Sequence, residues 1–464
     1  MLSATEKIGF ASFRPCVFFI LAVAVAACAQ DMEGDSNSQP MQKLSLQAAI
    51  RQALENNHQL KASSHSVSAQ REDIGIARSY MLPRIAFDES LTRTDTPGYA
   101  FSYKMNQGRL TTADMAGAPA TFNDPGYIND YQTSFSVEQP IFAPQAMAGI
   151  DMSQKRFDAA AEGFGRTREQ IAFSVAQSYF AVHTAGELVD AALKGVDDAN
   201  EHLRISKVRY DSGLGLHSDT LRASTSLKES QQKLITAGKD LNLAQRTMGL
   251  LLGTQQSVNI EDNALEINVK QIQYYIAAAV SRGDIKSAKH SIEAAKKNVD
   301  FASAEYLPVL GVKGSYQLDD HSSMLGSEGD SWMGVLFMRW YLFDGFRRDH
   351  QQAKAKFQVA QAKESLLELE DAISYRIYQA YLTIDEMHKN VLLAKSSLET
   401  ANEGVRLVRE RYENSLSPLV DLLDAQLMLD HARTNLAIKE NQYRIAGISL
   451  YFESGTILKE LGIE

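Results

Sequence analysis

The stretch Arg411-Tyr412-Glu413-Asn414-Ser415-Leu416-Ser417-Pro418-Leu419-Val420-Asp421-Leu422-Leu423-Asp424-Ala425 turns one long helix into another. Its proline suits the first turn of a new helix, where the missing N–H is no loss. Asp421 and Asp424, three apart, then share one face of that helix. The turn occurs twice. Arg209-Tyr210-Asp211-Ser212-Gly213 leads to Asp219 and Ala223 as Arg411-Tyr412-Glu413-Asn414-Ser415 leads to Asp421 and Ala425, an offset of 412 − 210 = 202 residues.

The flanking sequence repeats with the same offset. Val175, Val182, Val189, Val196, Leu203 and Tyr210 follow at seven-residue intervals, and Ile377, Ile384, Val391, Leu398, Val405 and Tyr412 match them 202 residues on. Small residues such as Ala185, Ala192 and Ala199 lie three after the first set, which makes this a coiled-coil seam. Beyond each turn the pattern resumes, at Leu227, Leu234, Leu241 and Met248, then at Leu429, Leu436, Tyr443 and Leu450. Each half therefore holds an antiparallel helical hairpin. A helix from about Gln145 to Tyr210 would be about 100 Å long at 1.5 Å per residue. A globular core needs nothing of that length, so something is being spanned.

Proline placement divides the rest. None of the ten prolines falls between 145 and 307 or between 309 and 417, whereas 83–144 is interrupted repeatedly. Shorter helices precede each hairpin: Leu44 to Tyr80, broken near Asn56-Asn57-His58, and Gln271 to Tyr306, broken near Gly283-Asp284. Pro83 and Pro308 then open segments of two-residue alternation, with Ile85, Phe87 and Leu91 on one face of the first and Val312, Tyr316 and Leu318 on one face of the second. Partners follow at Tyr131 to Ile141 and at Ser331 to Phe343. Four strands of about ten residues have bilayer-spanning size. They cannot close a barrel alone, and an open sheet edge cannot face lipid, so a membrane location requires oligomerisation. Soluble hairpins capping a coiled coil would explain the same segments.

Both cysteines, Cys16 and Cys28, fall at the start of the 464-residue chain, which excludes thiol and disulfide chemistry from the body. Lys7 and Arg14 precede an apolar run from Val17 to Ala27, too short to cross a bilayer but suited to a signal peptide. The run ends Val25-Ala26-Ala27-Cys28, which resembles a bacterial lipobox whose cysteine is acylated; cleavage after Ala27-Cys28-Ala29 is the other reading. Residues 31–43 are polar and turn-rich, a flexible tether. A net charge of −10 and a pI near 5.6 argue against nucleic acid as a partner. No histidine pair has metal-ligand spacing on a helix, and no nucleophile elbow, phosphate loop or dinucleotide fingerprint is present, so neither an enzyme, a cofactor nor a metal is expected.

In combination these features resemble the TolC-type outer-membrane efflux proteins, from about Leu44 to Gly455. The motifs that carry the likeness are the tandem halves, the Leu-Pro strand entries at 82–83 and 307–308, the returns Gln139-Pro140-Ile141-Phe142 and Leu342-Phe343-Asp344-Gly345, and the two Arg-Tyr turns. The resemblance implies a mainly α fold with a β-barrel portion, in which two tandem repeats each carry two strands and long coiled-coil hairpins. It further implies a homotrimeric α/β barrel channel, closed by four strands from each chain. The aspartates matching Asp421 and Asp424 form the narrowest rings of the periplasmic entrance in that family, and the tyrosine matching Tyr412 helps hold neighbouring helices closed. Without the family, Asp421 and Asp424 read as helix-start charges favoured by the dipole and Tyr412 as seam core; if the aspartates are only such charges, Tyr412, Leu422 and Leu423 are the next candidates for a constriction. Ser415 replaces the usual glycine, His58 stands where many members have proline, and Arg222 occupies the first-half position equivalent to Asp424. The basic partner of Tyr412 is missing at Ser417, where some members place arginine.

The expected organisation is a signal peptide (1–27), a tether with a candidate lipidation site at Cys28 (28–43) and a first repeat (44–252). Its strands lie near 83–93 and 131–141 and its hairpin at 145–252. A linker (253–270) leads to a second repeat (271–455), with strands near 308–318 and 331–343 and a hairpin at 345–455, and then to a C-terminal tail (456–464). The expected function is the exit duct of a tripartite efflux pump or type I secretion system. Its expected place is the bacterial outer membrane with a long periplasmic extension, and its partners are a periplasmic adaptor, an inner-membrane transporter and outer-membrane lipid. The alternative is a periplasmic adaptor or a structural coiled-coil protein of the envelope; an adaptor, however, carries one hairpin flanked by small β-domains rather than two tandem halves.

Overall fold

The computed structural model describes residues 43–117, 119–261 and 267–463. The chain opens with β1 (Lys43–Leu44), α1 (Leu46–Asn56) and α2 (His58–Ser79), then enters β2 (Arg84–Thr94). Three short helices, α3 (Pro97–Asn106), α4 (Thr112–Ala116) and α5 (Ala120–Asn123), precede β3 (Ile128–Phe142). The first long hairpin is α6 (Pro144–Asp211) and α7 (His217–Leu251). β4 (Asn259–Ile260), α8 (Ile272–Ala279), α9 (Gly283–Ala304), β5 (Val309–Asp320) and β6 (Gly329–Arg339) follow. The second hairpin is α10 (Arg347–Glu413) and α11 (Leu419–Glu453), and α12 (Ile457–Glu460) ends the chain. The fold is mainly α and built twice over. No described helix is long and apolar enough to cross a membrane.

β2, β3, β5 and β6 form one antiparallel sheet in that order, which leaves β2 and β6 as open edges. Residues directly opposite share a face, so Phe87, Phe135, Tyr316 and Trp332 form a row across all four strands. Trp332 and Leu336 are largely exposed on that face. Carboxylates interrupt it: Glu89 accepts a hydrogen bond, at 2.5 Å, from Thr133 Oγ1 directly opposite, and Asp330 accepts one from the Tyr316 hydroxyl at 3.1 Å.

Three sequence expectations need correction. The last strand stops at Arg339 rather than continuing to Phe343, because the chain turns there: Trp340 Nε1 donates to Tyr306 O at 3.0 Å, and Gly345 and Phe346 take φ of 70° and 64°. The segment between β2 and β3 is partly helical, since Pro97 sits at a helix start and Thr111 with Asp114 forms a reciprocal capping box that starts α4. Residues 456–463 are no loose tail; Ile457, Leu458 and Leu461 are buried in the main core with Leu450 and Tyr451.

That core lies where α1, α6, α8, α10, α11 and α12 meet, around Val175, Tyr179, Tyr275 and Ile377. Burying one Val or Ile side chain contributes about 1.5–3 kcal/mol, so the seven-residue spacing stabilises each long helix along its length. α6 packs on α7 along its second half and on α2 and α9 along its first, where Gly149 faces Phe301 and Gly163 faces Ser287. The break between α1 and α2 is cut by Asn57, whose Oδ1 accepts from Leu60 N at 3.1 Å while Nδ2 donates to Leu251 O at 2.8 Å at the end of α7. His58 can therefore start α2 without a proline.

Gly253 completes this joint. It takes φ of 75°, and a Cβ there would stand 2.6 Å from Asn56 O. Gly253→Ala should therefore lower stability by about 1–2 kcal/mol from the left-handed backbone alone, with the overlap adding to it. Thermal melting followed by circular dichroism in detergent checks this, and an unchanged midpoint would show the joint to be slack.

Candidate functional site

The two hairpin turns have one geometry. After α6, Gly213 takes φ of 75° and donates to Tyr210 O at 2.9 Å, and Leu214 N donates to Arg209 O at 2.8 Å. After α10, Ser415 takes φ of 64° and donates to Tyr412 O at 3.0 Å, and Leu416 N donates to Arg411 O at 2.8 Å. Serine thus keeps the tight turn that glycine makes in the first half, at a backbone cost of about 1–2 kcal/mol. Pro418 has extended φ and ψ of −72° and 160° and caps α11 instead of lying inside its first turn.

Arg209 ties the tips together. Its Nη1 donates to Tyr412 O at 2.5 Å and to Glu413 O at 3.1 Å, and its Nη2 donates to Ser415 Oγ at 3.1 Å and to Leu214 O at 3.2 Å. The guanidinium carbon also lies 4.7 Å from the centre of the Tyr412 ring. Tyr412 is 2% exposed, and burial pushes its hydroxyl above the ordinary value of 10.0. Its equivalent Tyr210 is 45% exposed, so the repeat loses its symmetry here. The basic side chain beside Tyr412 is Arg209, from the other hairpin.

Asp421 and Asp424 are exposed on the first two turns of α11. Beneath them Leu419 and Leu422 join Ile205, Ala223, Val405 and Tyr412 in a separate apolar cluster at the tips. Leu422 is wholly buried there. Arg222 and Asp424 border one groove of about 610 Å³ between α7 and α11. Cys28 lies outside the described residues.

Above the carboxylates, a buried polar joint that the sequence did not reveal fastens α6 to α11. Gln426 Nε2 donates to Asp198 Oδ2 and to Asp430 Oδ1, each at 2.9 Å. Arg433 Nη1 donates to Asp198 Oδ2 at 2.8 Å, and Arg409 approaches Asp198 Oδ1 at 3.8 Å. His202, 1% exposed, donates from Nε2 to Gln426 Oε1 at 3.3 Å, and its Nδ1 is buried without a hydrogen bond. Burial, and secondarily Arg409, holds the His202 pKa below its ordinary 6.5. Heptad reasoning placed Leu203 at the seam and passed over its polar neighbour.

Two tandem halves, each giving two strands to one sheet and one long hairpin, set the chain apart from a plain coiled coil. The sequence model of the outer membrane efflux proteins matches residues 49–254 and 275–456, and the chain belongs to that family of channels. It is 22% identical over 427 residues to the outer membrane efflux protein BepC of Brucella suis biovar 1, covering 90% of this chain and 87% of that one. It is 21% identical over 433 residues to the alkaline protease secretion protein AprF of Pseudomonas aeruginosa, covering 89% and 84%. Its fold is similar to the CmeC outer membrane channel of Campylobacter jejuni, with TM-score 0.72 and 17% identity over 98% of this chain and 94% of that one. The function is that of an outer-membrane exit duct.

The polar joint has a pH signature. A histidine whose folded pKa lies below its unfolded 6.5 gives its full contribution above about pH 6.5. That contribution is lost as pH falls through the window below 6.5, because the unfolded chain takes up the proton that the folded joint refuses. Melting midpoints of the wild type should drop from pH 7.5 to 5 by more than those of His202→Gln, which keeps a side-chain N–H donor but does not titrate. Parallel pH profiles would remove His202 from this role.

Proposed function

We propose that the chain assembles as a homotrimer, with four strands of each copy closing one outer-membrane barrel and the hairpins forming a periplasmic tunnel gated at its tips. The open edges at β2 and β6, carrying a largely exposed apolar face between them, support the assembly. The gate reading is carried by one observation: Asp421 and Asp424 stand exposed on a tip that Arg209 and Tyr412 hold in place. Three copies would crowd six carboxylates around one opening. A periplasmic adaptor and an inner-membrane transporter complete the path, and relatives named for efflux and for protease secretion support an efflux pump or a type I secretion system as the host. An acyl chain on Cys28 would add a second anchor, which the mass of the mature N-terminus decides.

Planar-bilayer recording tests the gate. The wild-type pore should prefer cations and be blocked by multivalent cations at the carboxylate ring, and Asp421→Asn with Asp424→Asn should weaken both effects. Crosslinking should still give a three-chain species, because the seams are untouched. Unchanged selectivity and block would return the aspartates to the role of helix-start charges.

Arg209→Ala should raise conductance instead. It removes four hydrogen bonds from a charged donor, three of them exposed to competing water. Unaltered conductance in the same recordings would show that the tie does not restrain the opening.

A further inference from the structure

We propose that α3, with its C-cap residue Gln107, is a cover folded over the outward mouth of the channel, a second constriction at the end of the sheet remote from the hairpins. The proposal rests on the trimeric barrel above, in which the apolar face of the sheet meets lipid and the other face lines the lumen.

Strand register decides on which face α3 lies, because directly opposite residues share a face. The face turned away from Phe87, Phe135, Tyr316 and Trp332 carries Ser90, Gln132, Ser134, Ser315 and Gln317, and it is polar. Asp130, Asp319 and Gly329 belong to this polar face at its outward end. Gln107 Nε2 donates to Asp130 Oδ1 at 2.7 Å and to Asn129 O at 2.9 Å, which fixes the end of α3 on β3. On β6, a Cβ added to Gly329 would overlap Asn106 O. α3 therefore meets β3 and β6 at once and crosses β5, the strand between them. Gln107, Asp130 and Asp319 are each 1% exposed.

A carboxylate that lined a water-filled mouth would stay hydrated, and burying it costs free energy unless donors replace the water. Gln107 supplies the donor for Asp130, and Gln317 Nε2 supplies it for Asp319 at 2.9 and 3.1 Å. The seat under the cover is thus polar and satisfied when closed. It can also part, because water takes over each bond when α3 lifts. The cover moves as one body: Lys104 Nζ lies 2.8 Å from Asp114 Oδ1 of α4, and the Phe101 ring meets Phe122 of α5 edge-on at 4.7 Å.

Dimensions show what three such covers would do. Twelve strands about 4.8 Å apart and tilted by about 40° make a barrel about 24 Å across between backbones. A helix with its side chains is about 10–12 Å thick. Laid on the inner wall, it takes up most of a radius of about 12 Å, so three copies obstruct the mouth.

Labelling of a lumen-face cysteine from outside intact cells tests the cover. The probe is an anionic maleimide too large for general porins. The target is Ser134→Cys, on the polar face and closer to the hairpins than Asp130, with rates read above those of the chain lacking the added cysteine. Labelling should be slow in the otherwise wild-type chain. Gln107→Ala, which removes the donor to Asp130, and Gly329→Ala, which displaces Asn106 while leaving Gln107 in place, should each speed it at least fivefold. Equal rates in all three chains, with a three-chain crosslinked species present, would overturn the cover and leave the barrel standing. Absence of the three-chain species would overturn the barrel reading and the cover with it. A label arriving from outside does not pass the hairpin tips, so the state of the gate does not enter the result.

Discussion

Equal length is the constraint on which the site depends. α6 and α10 have 68 and 67 residues, and α7 and α11 have 35 each. At 1.5 Å of rise per residue the two tips end within about one residue of each other, inside the reach of one arginine side chain. Inserting a single helical turn into one hairpin would shift its tip by about 5.4 Å. Arg209 would then miss Tyr412, and Gln426 would lose Asp198. The seven-residue seam keeps such long helices straight and buried enough for their ends to be placed reliably.

The features visible in the sequence are those with a period. Val175 and Ile377, at the same place in the two halves, are both completely buried, and the strand alternation put Phe87, Phe135 and Tyr316 on one face. The tie was not visible, because Arg209 reaches a residue 203 positions away and its sequence role was already filled as a landmark of the repeat. His202 and Gln426 were hidden for a related reason: a polar pair beside a seam looks like solvated helix surface until a second helix covers it. Tyr210 shows the converse, since its heptad position suggests core and its side chain is exposed.

The short-range misreadings have backbone causes. Trp340 to Phe343 are apolar enough for a strand, yet the ladder ends where two successive positive φ values at Gly345 and Phe346 redirect the chain into α10. Arg348 secures that bend by donating from Nη2 to Leu342 O at 3.2 Å and by lying 3.1 Å from Asp344 Oδ2. A phenylalanine in the left-handed region is a feature that propensity reasoning has no means to foresee.

Asymmetry between the repeats makes one tip the holder and the other the held. Arg209 crosses to the second turn, while its equivalent Arg411 is exposed and donates no side-chain hydrogen bond to a described residue. Ser415 shows what the crossing adds. Glycine would relax its left-handed backbone but would also remove the hydroxyl that accepts from Arg209 Nη2. The serine therefore exchanges local strain for a hydrogen bond between the two tips.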